Sequence, residues 1–482
     1  MPLCDTLIRN AHIMDGSSGE PSVGDVAIEG RHICDVGSAS DYDAQQVIDG
    51  SGHVLAPGFI DVHTHDDTNV IRTPDMLPKL SQGVTTVIVG NCGISAAPVQ
   101  LAGVPPDPMN LLGTADVFRY PTFHSYVEAI QQAQPAVNVA ALVGHTSLRN
   151  NHMDRLDRAA TAAEIERMQA QLSEALDNGA LGLSSGLAYL SANAAPTEEV
   201  LALVGMLAAA GAIYTTHMRT ETEGILDAMN EAFRIGRQAS VPVVISHLKC
   251  AGIANWGRSG EVLHALDEAR AAQPVGCDCY PYAAGSSTLD LRQVDERVEI
   301  MITWCEPHPE MAGRTLAQIA TSWSVEQIEA ARRLQPAGAI YHSISEEDMR
   351  RILTHPATMI GSDGLPNDPL PHPRLWGTFP RVLGRYSREL KLFPMTMAVH
   401  KMTGMPAARF GLADRGLIKQ GYCADLVLFN PETVRDTATF ISPISPAEGI
   451  AAVWVNGVLS YREGASTGQR GGRFLPRQSP QI

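Results

Sequence analysis

The feature that most constrains this chain is an alternation. Eight short apolar runs of β type are separated by longer stretches with helical period. The runs lie at about 54–62, Val84–Val89, Val137–Val143, Ala180–Leu183, Ala212–Thr215, Val241–Ile245, Val275–Tyr280 and Ala357–Ile360. Helical patterns fill several of the gaps. Thr161-Ala-Ala-Glu164 is a capping-box start for a helix that stops near Gly179, and 196–210, 223–238 and 260–272 read as amphipathic helices. Strand and helix in strict turn give a parallel α/β architecture. Eight such units in roughly 360 residues predict a (β/α)8 TIM-type barrel.

The two ends have a different texture. Thr6–Ile8, Val26–Ile28, His32–Cys34 and Gln46–Ile48 are β-type runs broken by Gly, Asp and Ser, and Asp425–Phe429 and Ala452–Val455 repeat the pattern. They predict a small β domain built from both chain ends: residues 1–55 and 416–482, around a catalytic barrel over 56–415. Two stretches, 92–135 and 284–345, are too long for ordinary βα loops. The second reads equally as a lid or as a purely structural excursion. The tail after Gly464, rich in Gly, Arg, Gln and Pro, is expected to lie loosely on the surface.

The charge balance narrows the partners. With 36 basic and 52 acidic residues the formal net charge is −16, which argues against a nucleic acid or an anionic membrane. The first sixteen residues lack the basic start and apolar core of a signal peptide, and no apolar run approaches the roughly 18–20 residues that cross a bilayer. These features lead to the expectation of a cytoplasmic protein acting on a small molecule, its oligomeric state open. The eight cysteines show no disulfide-scaffold spacing, and Cys277-Asp-Cys279 is not a redox CxxC pair.

The residues just past the strands carry the chemistry. The first run ends in His63-Thr64-His65, whose i, i+2 side chains share a side of an extended strand. Alone, such a pair is as compatible with two hydrogen-bonded loop histidines as with metal ligands. The second run, however, ends in Asn91-Cys92-Gly93, the fifth in His217, the sixth in His247 and the eighth in Ser362-Asp363-Gly364. In a parallel barrel all these ends face one mouth. Six residues of metal-binding type would then converge, and nitrogen with sulfur donors favour zinc over magnesium or calcium.

PGFIDVHTHDD (57–67), NCGIS (91–95), THMRTE (216–221), SHLKC (246–250), GSDGLP (361–366) and HPRLWGTFPRVL (372–383) together resemble the metal-dependent amidohydrolases, and within them the D-aminoacylase (N-acyl-D-amino-acid deacylase) branch. The resemblance spans nearly the whole chain. Many amidohydrolases bridge two metals with a carboxylated lysine on the fourth strand. This chain has five lysines, none near that strand. Cys92 is the obvious replacement because a metal-bound thiolate stays deprotonated; the alternative is a buried core cysteine. The resemblance implies one tight zinc on Cys92, His217 and His247, with a second, weaker position on His63, His65 and Asp363. Asp363 is also expected to act in catalysis, taking a proton from the attacking water and passing it to the leaving amine.

An N-acylated amino acid keeps a free α-carboxylate. By resemblance Lys249, Tyr280 and Arg374 clamp it, with Ser286 and Tyr189 nearby; for Arg374 a surface salt bridge is the competing reading. Leu248 departs from relatives that carry a histidine there, and His145 and His152 receive no role. The expected activity is hydrolysis of N-acyl-D-amino acids with neutral side chains to a D-amino acid and a carboxylate. The alternative is an N-acyl-D-glutamate or N-acyl-D-aspartate deacylase, for which Arg292 would supply the extra cation. A cyclic amidase, or a non-catalytic scaffold with this fold, fits less well.

Overall fold

The computed structural model describes residues 2–37, 42–101 and 103–478. Eight parallel strand positions follow one another with lateral pairing in sequence order. The first, Phe59–Asp61, pairs with the second, Val84–Val89. The second pairs with the third, which is broken at Leu142 into Asn138–Ala141 and Val143–Gly144. The fourth (Gly182–Gly186), fifth (Ile213–His217), sixth (Val243–Ile245), seventh (Val275–Cys279) and eighth (Thr358–Ile360) continue the series in register. A parallel bridge between Thr64 and Gly364 joins the eighth position back to the first. All strands in this series are buried on both faces, which is why they read as continuous apolar runs rather than as alternation.

The run at 54–62 is two strands, not one. Val54–Pro57 pairs with Leu426–Phe429 and with His12–Ile13, and Phe59–Asp61 opens the parallel series. Gly58 lies at the break, and a Cβ there would fall 2.2 Å from the Thr85 side chain. Both ends of the chain meet in one nine-stranded sheet that contains Leu3–Ile13, Ser22–Glu29, Leu426–Phe429 and Ile450–Val455. Its core holds Ile8, Val26, Leu55, Leu426 and Trp454. The capping box forms as expected: the Glu164 backbone N–H donates to Thr161 Oγ1 at 3.3 Å, and the Thr161 N–H donates to the Glu164 carboxylate at 2.7 Å.

The 284–345 excursion folds on a core of its own. Gly285–Thr288, Ile300–Cys305 and Ala337–Tyr341 make an antiparallel sheet, against which Leu316–Trp323 and Gln327–Leu334 pack. The tail meets its expectation only in part: residues 465–470 are exposed, but the residues after them are anchored. Phe474 and Leu475 are buried, the Leu475 N–H donates to Val139 O at 2.7 Å, and Arg477 Nε donates to Ala180 O at 3.1 Å. Glycine in this tail allows close approach, since a Cβ on Gly472 would sit 2.1 Å from Val137 O. The arginine that suggested a loose surface segment caps the carbonyl ends of neighbouring elements. Residues 479–482 of that stretch lie outside the described residues. No helix among the described residues is long and apolar enough to cross a membrane.

Candidate metal and active site

His63 and His65 lie just past the first strand, and both reach one oxygen. His63 Nε2 is 3.4 Å and His65 Nε2 is 3.2 Å from Asp363 Oδ1. The two loops that carry them are laced together: Asp363 N–H donates to His63 O at 2.7 Å, and His65 N–H to Gly364 O at 3.1 Å. On the other side His63 Nε2 lies 3.2 Å from Cys92 Sγ, which is 3.4 Å from His247 Nε2. His247 Nε2 is in turn 3.0 Å from His217 Nδ1. Donor atoms of His63, Cys92, His247 and Asp363 all lie within 4.8 Å of one another. The six expected residues are thus together, with His65 and His217 at opposite ends of the group.

Local backbone explains why these side chains turn inward. Cys92 (φ 54°), His247 (φ 36°) and Asp363 (φ 50°) all adopt the left-handed conformation. Such conformations cost free energy in a residue with a Cβ and persist where the surroundings over-determine them. Cys92 is flanked by Gly90 and Gly93, also at positive φ, and the end of the fourth strand closes directly on it. A Cβ on Gly186 would fall 2.1 Å from Cys92 O, so no side chain from that position could enter the cluster. This agrees with the absence of a bridging lysine.

The charges are mutually dependent. Burial alone would push the Cys92 thiol up, but His63 and His247 hold it well below its ordinary range. Burial opposes the charge on Asp363 too, yet Arg374 and His63 keep its carboxyl well below the usual carboxylate range. Against desolvation, His65 rises to about 9 through hydrogen bonding to Asp363 and Cys92. His247 also rises to about 9, with Glu221 and Cys92 outweighing burial and Lys249. An anionic thiolate and an anionic carboxylate ringed by imidazoles make a donor set suited to a zinc-type ion.

Two carboxylates that the motif reading did not single out support the ring. Asp278 lies 3.2 Å from His63 Nδ1 and accepts from the His247 N–H at 2.9 Å. Glu221 lies 2.9 Å from His247 Nδ1 and 2.6 Å from Lys249 Nζ. Outer carboxylates of this kind fix the tautomer and orientation of ligating histidines. Glu221 stands in THMRTE and Asp278 between two cysteines on the seventh strand; a partner search for each histidine's second nitrogen is the signal that finds them.

The cluster opens into a cavity of about 400 Å³ whose wall includes Tyr189, Lys249, Tyr280, Ser286, Tyr341 and Asp363. Arg374 is buried rather than a surface residue: its Nη1 is 2.9 Å from Asp363 Oδ2, its Nη2 donates to Ser286 O at 3.1 Å, and it stacks on Tyr280 at 4.6 Å. Among the described residues, the hydroxyls of Tyr280 and Ser286 and Arg374 Nε have no hydrogen-bond partner. Buried polar groups in that state call for a partner from outside the chain. The Tyr189 ring packs 4.9 Å from that of His217. Arg292 also lines the cavity, but it is engaged: it grips Asp290 at 2.8 Å and donates to Ala188 O at 3.0 Å. Asp107 is on the same wall, its carboxyl pushed up by burial and by Asp290. His145 pairs with Glu199 at 3.0 Å and His152 bonds Gln171 at 2.9 Å, both apart from the cluster.

A family model described as the amidohydrolase family matches residues 46–461. The chain is 50% identical over 473 residues to a D-aminoacylase of Alcaligenes xylosoxydans xylosoxydans, covering 98% of each chain. It is 48% identical to an N-acyl-D-aspartate deacylase from the same organism, covering 98% of this chain and 95% of that one. A solved D-aminoacylase structure, in which a binuclear metal center shows one-metal activation and second-metal attenuation, is 49% identical with a TM-score of 0.97, covering 98% and 100%. An N-acyl-D-glutamate deacylase from Bordetella bronchiseptica, complexed with zinc and a phosphonate mimic of the tetrahedral intermediate, is 43% identical with a TM-score of 0.94, covering 98% and 99%.

Proposed function

The chain belongs to the amidohydrolase family, and from that premise we propose that it is a zinc-dependent hydrolase releasing D-amino acids from N-acyl-D-amino acids. The observation that carries the reading is the convergence of His63, Cys92, His247 and Asp363, of which His247 and Asp363 reach the wall of a cavity that also presents Lys249 and Tyr280, with Arg374 paired to Asp363. We read the parallel series as a (β/α)8 barrel over 56–415, with residues 1–55 and 416–482 as the two parts of a β domain. Cys92, His217 and His247 would hold the tighter zinc, and His63, His65 and Asp363 a second, weaker one. When bound, zinc would polarise the amide carbonyl and make the attacking water more acidic.

The chain's own groups supply the rest. Asp363, kept ionised by Arg374 and His63, takes a proton from water as its oxygen attacks the carbonyl carbon. It then delivers that proton to the amide nitrogen as the C–N bond breaks, and is ready for another cycle. Lys249, Arg374, Tyr280 and Ser286 receive the α-carboxylate, which gives the unpartnered atoms of Arg374, Tyr280 and Ser286 something to bind, while Lys249, held by Glu221, adds its charge. Arg374 reaches Asp363 through one nitrogen of its fork and Ser286 O through another, so carboxylate binding and proton transfer share a residue.

Neutral side chains suit the cavity better than acidic ones. Arg292, a cation on the cavity wall apart from the carboxylate clamp, is already paired with Asp290, and Asp107 adds a further acid beside it. A substrate carboxylate would have to displace Asp290 or remain unpaired, at a desolvation cost. The test is kcat/KM for N-acetyl-D-methionine, N-acetyl-L-methionine and N-acetyl-D-glutamate on protein of measured metal content. D-methionine should lead both others. A preference for D-glutamate would establish the acidic-substrate alternative, and a preference for the L compound would overturn the assignment.

A further inference from the structure

Beneath the expected ligands, and away from the cavity wall, lies a wholly buried lysine to which the proposed mechanism gives no role. Lys79 Nζ sits 2.8 Å from Asp61 Oδ2, 2.9 Å from Thr64 Oγ1, 3.1 Å from Ser362 Oγ and 3.1 Å from Asp66 Oδ2. All five side chains are buried. The directions of the bonds are set. The Thr64 hydroxyl donates to Asp66 at 2.7 Å and the Ser362 hydroxyl to Asp61 at 2.6 Å, so both oxygens are left to accept from the ammonium. The other Asp61 oxygen takes the Ser362 N–H at 2.8 Å and the His63 N–H at 3.3 Å.

Three of these four contacts end on a residue next to an expected ligand, Asp66 following His65 among them, and the fourth, Asp61, lies two residues before His63. Thr64 stands between His63 and His65, Ser362 precedes Asp363, and Ser362 Oγ also accepts the Gly364 N–H at 3.1 Å. We propose that Lys79 is a positioning residue for the reaction, holding the His63–His65 turn and the Asp363 turn in register so that Asp363 keeps its place beside the histidines. The proposal rests on the role given to Asp363 above. Stability alone is a poor reason for such a group, because buried ion networks are often no more stabilising than apolar side chains of similar volume. Geometry is the better reason: Asp363 occupies a strained left-handed conformation, which needs its neighbours to over-determine it.

Lys79→Met, with Ser362→Ala as a milder cut in the same network, tests this. Kinetics on N-acetyl-D-methionine, zinc stoichiometry and thermal midpoint are measured on each, alone and in an Asp363→Ala background. The account expects kcat to fall by about 10- to 100-fold with KM changed by less than about threefold, and one equivalent of zinc retained. In the Asp363→Ala background the same substitutions should have little further effect on turnover, because they act through that carboxylate. If Lys79→Met does not fold, Ser362→Ala carries the test. The inference is overturned if kcat in the folded variants stays within about twofold of wild type, if the losses multiply in the Asp363→Ala background, or if the retained zinc equivalent disappears. Near-normal kcat in Asp363→Ala by itself would instead overturn the premise.

Discussion

Two lysines, one near the mouth of the parallel strands and one near their base, are equally hidden from solvent and shift in opposite directions from the usual lysine range. Lys79 at the mouth is surrounded by Asp61 and Asp66, which outweigh burial and raise its pKa. Lys401 at the base, on the helix Met395–Met402, donates among the described residues to the carbonyls of His355 and Thr358, and burial brings it down to about 8. Inside the strands an apolar cluster holds Ile60, Met359, Phe410 and Leu475 among others. The mouth concentrates buried ions and left-handed backbone; the base concentrates packing. The base is not free of polar groups, since Asn138 at the start of the third strand donates to Asp425 at 3.0 Å and Arg415 pairs with the same carboxylate, but the cluster of metal-binding type forms at the C-terminal ends.

The largest expected effect breaks the mouth. Cys92→Ala should lose both zinc and activity, since two imidazoles hold the ion poorly without the thiolate. Cys4→Ala, Cys34→Ala and Cys305→Ala, whose thiols lie away from the cluster, should lose neither. Full zinc occupancy in folded Cys92→Ala protein would contradict the assignment. Next is Asp363→Ala, expected to keep the tight zinc but to lower kcat by roughly a thousandfold. Single-turnover measurement on protein of known metal content checks it.

Arg374→Ala comes third and sharpens the picture inside the mouth. Substrates with a free α-carboxylate should lose on the order of 2–5 kcal/mol of transition-state stabilisation, read from kcat/KM. Amide-capped analogues should lose less, though not nothing, because Arg374 also holds Asp363. Equal losses would show that it does not clamp the carboxylate.

The smallest effect belongs to the base. A lysine whose folded pKa is about 8 binds its proton less readily there than in the unfolded chain, where the value is about 10.4. The resulting penalty is fully present below about pH 8 and fades as the pH rises toward 10.4, so this group makes stability increase across that window. Lys401→Met should raise the thermal midpoint at pH 7, flatten that rise, and leave kcat unchanged. A lower midpoint, or altered turnover, would erase the contrast between base and mouth.

How much of this was legible in the residues differs by region for the same reason. The strands of the parallel series are buried on both faces, so they announced themselves as apolar runs, and the ligands could be found because each comes directly after its run. Val54 to Val62 misled because both flanking strands are apolar, and nothing in hydrophobicity marks the change of sheet at Gly58. Lys79, Asp278 and Glu221 escaped because their partners are remote in sequence: Lys79 reaches Ser362, 283 residues away. The left-handed conformations of Cys92, His247 and Asp363 have no signature either, since none is glycine. The tail escaped because glycine and arginine, which usually mark exposed coil, here permit close backbone approach and cap carbonyls.

The central claim, that the buried thiolate–imidazole cluster makes this chain a zinc-dependent deacylase of D-substrates, is tested most directly by metal add-back. Protein stripped of metal is titrated with zinc while hydrolysis of N-acetyl-D-methionine and N-acetyl-L-methionine is monitored. The account predicts negligible turnover without metal, activity that rises over the first equivalent, and preference for the D compound throughout. Full activity in the stripped protein, or a zinc-restored activity that favours the L compound, would contradict it.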